Sequence, residues 1–119
     1  MPSFICEKCG KVDNSACANN YWHARSNKYL KSNGKENKIS TSYKSEFAYF
    51  EDHVCCSDCC DGIVYYDDSG VISKETGITL GNLKHWSEYG SKEDILEWES
   101  RNDGSMVNAT EYFKSIGEL

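Results

Sequence analysis

Apolar residues along this chain come in short bursts separated by longer polar stretches, so the pattern predicts short elements and no long helix. Ser3-Phe4-Ile5 reads as a short strand that runs into Cys6-Glu7-Lys8-Cys9-Gly10. Gly10 suits the turn that closes such a segment, because glycine tolerates positive φ. Lys11 to Trp22 is polar and then aromatic, with Asp13-Asn14 predicting a turn. Residues 23–38 are polar and basic, carrying Arg25, Lys28, Lys31, Lys35 and Lys38, and Asn33-Gly34 is a turn signal. The expectation there is a mobile loop or a hairpin tip.

Ile39 to Phe50 has strand character: Phe47 and Tyr49 fall on one face, Ala48 and Phe50 on the other. That strand would deliver the chain to Cys55-Cys56-Ser57-Asp58-Cys59-Cys60. Gly62 to Tyr66 and Val71 to Ser73 then flank Asp67-Asp68-Ser69-Gly70, a β-hairpin pattern. The last third turns helical. Asn82 is a candidate cap for a short helix ending at Gly90, and Ser91-Lys92-Glu93-Asp94 resembles a capping box. Ile95, Leu96, Trp98 and Met106 would form the apolar side of the helix after that box, with Gly104 as its stop. Asn108-Ala109-Thr110-Glu111 repeats the start signal, and Tyr112, Phe113 and Ile116 would face inward.

Composition changes this picture in one respect. Hydrophobic residues make up 39% of the 119 positions, a thin core for one domain, and a bound metal is a standard staple for such a core. Seven cysteines are available to hold one. No apolar leader precedes the first Cys-x-x-Cys and no stretch is long enough to span a membrane. The expectation is therefore a cytoplasmic protein in a reducing compartment, where paired thiols hold metal more often than they form disulfides.

Thiolates at Cys-x-x-Cys spacing sit on one tight turn and reach a single ion, and two such turns complete a tetrahedron. Cys6/Cys9 and Cys56/Cys59 have that spacing, so these four are the candidate ligands of a zinc ion. In the second run, Cys55/Cys59 and Cys56/Cys60 are one residue wider, which leaves Cys55 pointing into the core and Cys60 flanking the site. A sharper alternative is a second metal site built from Cys17, Cys55, Cys60 and His53 or His23. Iron is the alternative metal for four thiolates. No Ser/His/Asp order, phosphate loop or dinucleotide turn is present, so no residue set asks for catalysis.

Charge is unevenly placed. Residues 1–60 carry eight Lys/Arg and seven Asp/Glu, whereas residues 61–119 carry five and twelve. An acidic protein is a poor general binder of phosphate backbones and a better match for a basic protein surface. Glu93, Asp94, Glu97, Trp98 and Glu99, with Trp86 and Tyr112 nearby, are the candidate protein-binding residues. The basic, aromatic-interleaved segment 25–44 is the one feature that points to nucleic acid instead.

Cys6-Glu7-Lys8-Cys9-Gly10-Lys11-Val12-Asp13-Asn14-Ser15-Ala16, followed by Asn20-Tyr21-Trp22 and by Cys56-Ser57-Asp58-Cys59, resembles short uncharacterised bacterial and phage proteins with two cysteine knuckles. The resemblance covers residues 4–22 and 54–60, and Gly81 to Trp86 follows their Gly-x-Trp-His-like element only loosely. It implies a rubredoxin-like zinc ribbon and carries no established activity. Together these readings predict a single α+β domain over residues 1–119: a small zinc ribbon with a β-hairpin in 1–77, then two or three short helices in the acidic part, 78–119. The function expected is that of a non-enzymatic, zinc-stabilised adaptor or inhibitor that binds another protein, in the host cytoplasm if it is phage-encoded. Rubredoxin-like electron transfer through iron and nucleic-acid binding through 25–44 are the rival classes.

Overall fold

The computed structural model describes residues 2–16, 19–35, 45–59, 63–65, 72–74 and 83–119. In chain order these form β1 (Ser3–Ile5), β2 (Val12–Asn14), α1 (Tyr21–Ser32), a 3₁₀ helix (Ser45–Glu51), β3 (Ile63–Tyr65), β4 (Ile72–Lys74), a 3₁₀ turn (Trp86–Glu88), α2 (Lys92–Ser100) and α3 (Ala109–Ser115). The architecture is a small α+β one, with two separate two-stranded antiparallel sheets, β1-β2 and β3-β4.

β1 is the hub of the core. Its side chains alternate sides, so Phe4 packs with Tyr21, Ala24 and Val54, whereas Ile5 packs with Ile95, Met106, Ala109, Tyr112 and Phe113. Cys6, just past the strand, enters a third cluster with Phe50, Cys55 and Cys56. Phe4, Ile5 and Cys6 are all fully buried. Each apolar side chain buried this way contributes roughly 1.5–3 kcal/mol.

β1 pairs with β2 along one edge, with Phe4 opposite Asp13. Its other edge is covered without a strand. Ser3 N donates to Gly104 O at 2.8 Å, and Val107 N donates to Ser3 O at 3.1 Å. The Asn108 carboxamide then accepts from Ile5 N at 2.8 Å and donates to Ile5 O at 2.9 Å, as a neighbouring strand would. A buried edge left unpaired would cost the desolvation of each such group.

Several sequence expectations hold. β1 lies where the pattern put it, and β3 and β4 pair as a hairpin with Ile63 opposite Lys74. The loop expected between them, Asp67 to Gly70, lies outside the described residues, as does Asn82. The box at Ser91 forms as read: Ser91 Oγ accepts from Asp94 N, and Asp94 accepts from Ser91 N.

Five expectations are corrected. The loop expected over 23–38 is instead helix as far as residue 32, within Tyr21–Ser32. The inward face of α1 is Tyr21, Ala24 and Asn27, too polar to register as a hydrophobic stripe, and Asn27 is used to donate to Glu51 O at 2.9 Å. Ser45–Glu51 is a 3₁₀ helix rather than a strand, with Phe50 buried and Tyr49 exposed. Asp13 and Asn14 belong to β2 and are not a turn. Finally, α2 stops at Ser100, before Gly104, and α3 ends at Ser115, which leaves Ile116 exposed.

Candidate metal centre

The first knuckle is wound tightly by its own backbone. Cys6 Sγ accepts from Lys8 N and from Cys9 N, each at 3.4 Å. Gly10 N donates to Cys6 O at 2.9 Å, and Cys6 N donates to Lys11 O at 2.8 Å. The second knuckle closes through Cys59 N to Cys56 O at 3.1 Å.

Long-range bonds bring the two knuckles together. Glu7 N donates to Val54 O at 2.9 Å, and the Glu7 carboxylate accepts from Val54 N. Asp13, itself buried, accepts through one oxygen from both Ser57 N and Ser57 Oγ at 2.7 Å. Lys11 Nζ meets Asp58 at 3.2 Å, which holds the ammonium pKa above its ordinary value, with the charge of Cys9 and Cys56 adding to the effect. Asn20 is fully buried behind the second knuckle. It donates to Phe50 O at 2.7 Å and His53 O at 2.6 Å, and accepts from Cys55 N at 2.7 Å.

The result is one cluster of four sulfurs, Cys6, Cys9, Cys56 and Cys59, all within 4.8 Å of one another. Cys6 and Cys59 lie 3.7 Å apart, and Cys9 and Cys56 lie 3.6 Å apart. A tetrahedral ion with sulfur at about 2.3 Å needs sulfur–sulfur edges of about 3.8 Å. The donor set and its spacing therefore fit one metal ion.

The charge in the cluster is uneven. Hydrogen bonds from the Cys55 and Cys56 thiols hold Cys6 far below the ordinary thiol range, against the opposing effect of burial. Cys56 is held well above that range, by its bond to Cys6 first and by burial second. Burial and the charge on Cys6 push Cys59 up to about 12. Four sulfurs at this spacing resist carrying four negative charges unless a cation compensates them.

Gly10 is fixed by geometry. Its φ is +79°, and a Cβ there would lie 2.5 Å from His85 Nε2 and 2.8 Å from the Tyr112 hydroxyl. Gly34 has a φ of +68° with nothing within 4 Å of an added Cβ. Gly34→Ala should therefore cost about 1–2 kcal/mol, the left-handed backbone term. Gly10→Ala should cost about 2 kcal/mol more, from the forced displacement of His85 and Tyr112. Urea midpoints of the two variants check this, and equal costs would contradict it.

The remaining candidate residues are placed as follows. Cys55 is buried beside the cluster, with its thiol 3.6 Å from His53 O. His53 stacks on Tyr49 at 4.1 Å, and its Nδ1 lies 2.9 Å from Tyr49 O and 2.8 Å from Asp52. Cys17 and Cys60 lie outside the described residues, and with them the second site expected from Cys17, Cys55, Cys60 and His53. Glu93 and Glu97 are exposed on α2, with Glu97 gripping Arg101 at 3.0 Å. Asp94 is taken by the cap, and Glu99 accepts from both Thr110 N and Thr110 Oγ1. Trp98 packs against the Ile95 cluster. Within 25–44, Arg25 pairs with Glu111, Lys28 with Glu7 and Glu111, and Lys31 with Glu51 and Asp52, while 36–44 lie outside the described residues. No described helix is long and apolar enough to cross a membrane.

The supporting residues Glu7, Asp13, Asn20 and Asn108 were not singled out from sequence. Each is an ordinary polar residue whose partner lies between 35 and 103 positions away in at least one bond. Asp13-Asn14 carried a local signal that pointed to a turn, and Asn108 one that pointed to a helix start, where it stands as the N-cap with its carboxamide on Ile5 instead of on the helix. No protein-family model matches this chain, and neither the curated proteins nor the solved structures include a significant match. What the structure supports of the two-knuckle resemblance is the cluster of Cys6, Cys9, Cys56 and Cys59.

Proposed function

We propose that this protein is a non-enzymatic protein-binding module whose fold is held by one zinc ion on Cys6, Cys9, Cys56 and Cys59. The observation that carries the reading is the four-sulfur cluster at the meeting point of β1 and the second knuckle. All four positions of a tetrahedral ion are taken by protein sulfur, and a closed site of this type is structural rather than catalytic. Bound there, the metal supplies cross-linking. The backbone N–H groups at Cys6, the Glu7 to Val54 pairing and the Asp13 to Ser57 clamp orient the sulfurs.

Partner binding through the acidic C-terminal surface follows from charge. Residues 83–119 carry eight carboxylates against four basic side chains. The basic side chains of α1 speak against the nucleic-acid reading, because Arg25, Lys28 and Lys31 are already paired with carboxylates. A phosphate backbone would have to displace those partners.

The test is charge reversal at the two α2 positions that do not hold the fold. Glu93→Lys with Glu97→Lys should abolish capture of the partner and leave the melting temperature within a few degrees. Reversing Asp94 or Glu99 would confound the result, since their carboxylates cap α2 and bind Thr110. Undiminished capture by the double variant would refute the acidic-surface reading.

A further inference from the structure

A groove of about 490 Å³ opens between β2 and α2, a size that suits one large side chain and its neighbours. Met106, which is buried, and Val12 are among its apolar lining residues. Tyr89 and Trp98 also line it, meeting edge to face with ring centroids 6.2 Å apart. Tyr89 is 44% exposed, so part of this apolar surface meets solvent. Such a surface, with aromatics beside an apolar floor, is where binding energy concentrates in protein interfaces.

Charge around the groove selects the occupant. Glu97 reaches the groove through its bonds to the lining residue Arg101, and Asp103 accepts from the backbone N–H of the groove residue Ser105 at 2.9 Å. Arg101 also lines the groove, but Glu97 holds its guanidinium in two bonds of 3.2 and 3.0 Å. That pair is neutral, which leaves Asp103 as net negative charge beside an aromatic wall. Cations are favoured there by direct attraction and by the electron-rich ring faces.

Resting on the acidic-surface reading above, we infer that this groove is an anchor pocket for a basic peptide segment. One large apolar or aromatic side chain of the partner fills it, and a flanking Lys or Arg meets Asp103. The groove would supply specificity, and the surrounding carboxylates would speed encounter.

Titration of the ¹⁵N-labelled, metal-loaded protein with three synthetic peptides tests the inference. The probes are Lys-Lys-Trp-Lys-Lys, the same peptide with serine for tryptophan, and Glu-Glu-Trp-Glu-Glu. The first should shift the amides of Val12, Tyr89 and Met106 and the indole N–H of Trp98, and bind about tenfold more tightly than the serine peptide. Its affinity should fall with added salt, and the acidic peptide should not bind. Tyr89→Ser, a change at a half-exposed position, should weaken the first peptide about tenfold and leave the serine peptide unaffected. Equal binding of the lysine peptides, with shifts confined to Glu93 and Glu97, would overturn the groove and keep the acidic surface. No binding by either lysine peptide would overturn both. Equal binding of the acidic peptide, or shifts centred on the exposed Trp22 and Tyr29 of α1, would overturn the choice of occupant.

Discussion

Cys56→Ser should strip the metal and lower the melting temperature by roughly 15 °C or more, whereas Cys55→Ser should keep the metal. Cys55 and Cys56 are adjacent and both fully buried, so loss of a buried thiol alone would affect them similarly. Only Cys56 belongs to the four-sulfur cluster. The apparent binding energy of a structural zinc site is about 10–16 kcal/mol, comparable to the whole stability of a domain at about 5–15 kcal/mol. Loss of one ligand therefore removes several kcal/mol, and each kcal/mol is worth about 3–6 °C at this length. The cluster also packs Phe50 and lies at the end of β1, so the damage reaches the core through Cys6. Calorimetry with metal analysis on both variants checks this, and a Cys56→Ser protein that melts like the parent would contradict it.

Acid should mimic the mutation. Bound sulfur must be deprotonated, so protons compete with the ion and affinity falls as pH falls. With Cys59 pushed up to about 12 in the metal-free cluster, that competition extends well above neutrality. Metal affinity should thus rise steadily from acid through mildly alkaline pH.

The second large effect is expected at Asn20, far from any sulfur in sequence. Asn20→Leu fills a similar space but orphans the Cys55 N–H and removes the donors that serve Phe50 O and His53 O. Each buried group left without a partner costs about 1–3 kcal/mol. The total should be about 3–5 kcal/mol, with weaker metal binding because Cys55 N adjoins the second knuckle. Asn33→Ala is the comparison. Its carboxamide also donates to a carbonyl, Tyr29 O at 2.8 Å, but at an exposed site, and its loss should cost under about 1 kcal/mol. Denaturant titration of both variants measures the difference, and similar midpoints would show that the Asn20 contacts do not hold the knuckle.

The parts of this fold that were legible in the sequence are those set by local chemistry. Cys-x-x-Cys spacing names its own geometry, Ser91 and Asp94 cap each other across one turn, and the β3-β4 hairpin follows from apolar runs around a turn signal. Helix α1 was hidden because its apolar inward face is only Tyr21 and Ala24, with Asn27 and ion pairs completing its attachment to the rest of the protein. The segment Ser45–Glu51 misled because alternating aromatics imitate a strand, whereas the 3₁₀ helix buries Phe50 and leaves Tyr49 exposed. The bonds that align the knuckles were illegible for another reason. Glu7 to Val54, Asp13 to Ser57 and Asn20 to Cys55 join residues 35 to 47 positions apart, and no local pattern pairs one end with the other.

The most direct test of the central claim is the metal content of the purified, untagged protein, read by elemental mass spectrometry beside a thiol titration. The account predicts about one zinc per chain, with Cys6, Cys9, Cys56 and Cys59 shielded from the thiol reagent until the metal is removed. Iron in that site would move the protein to electron transfer, and metal-free protein with four freely reactive thiols in the folded state would contradict the account outright.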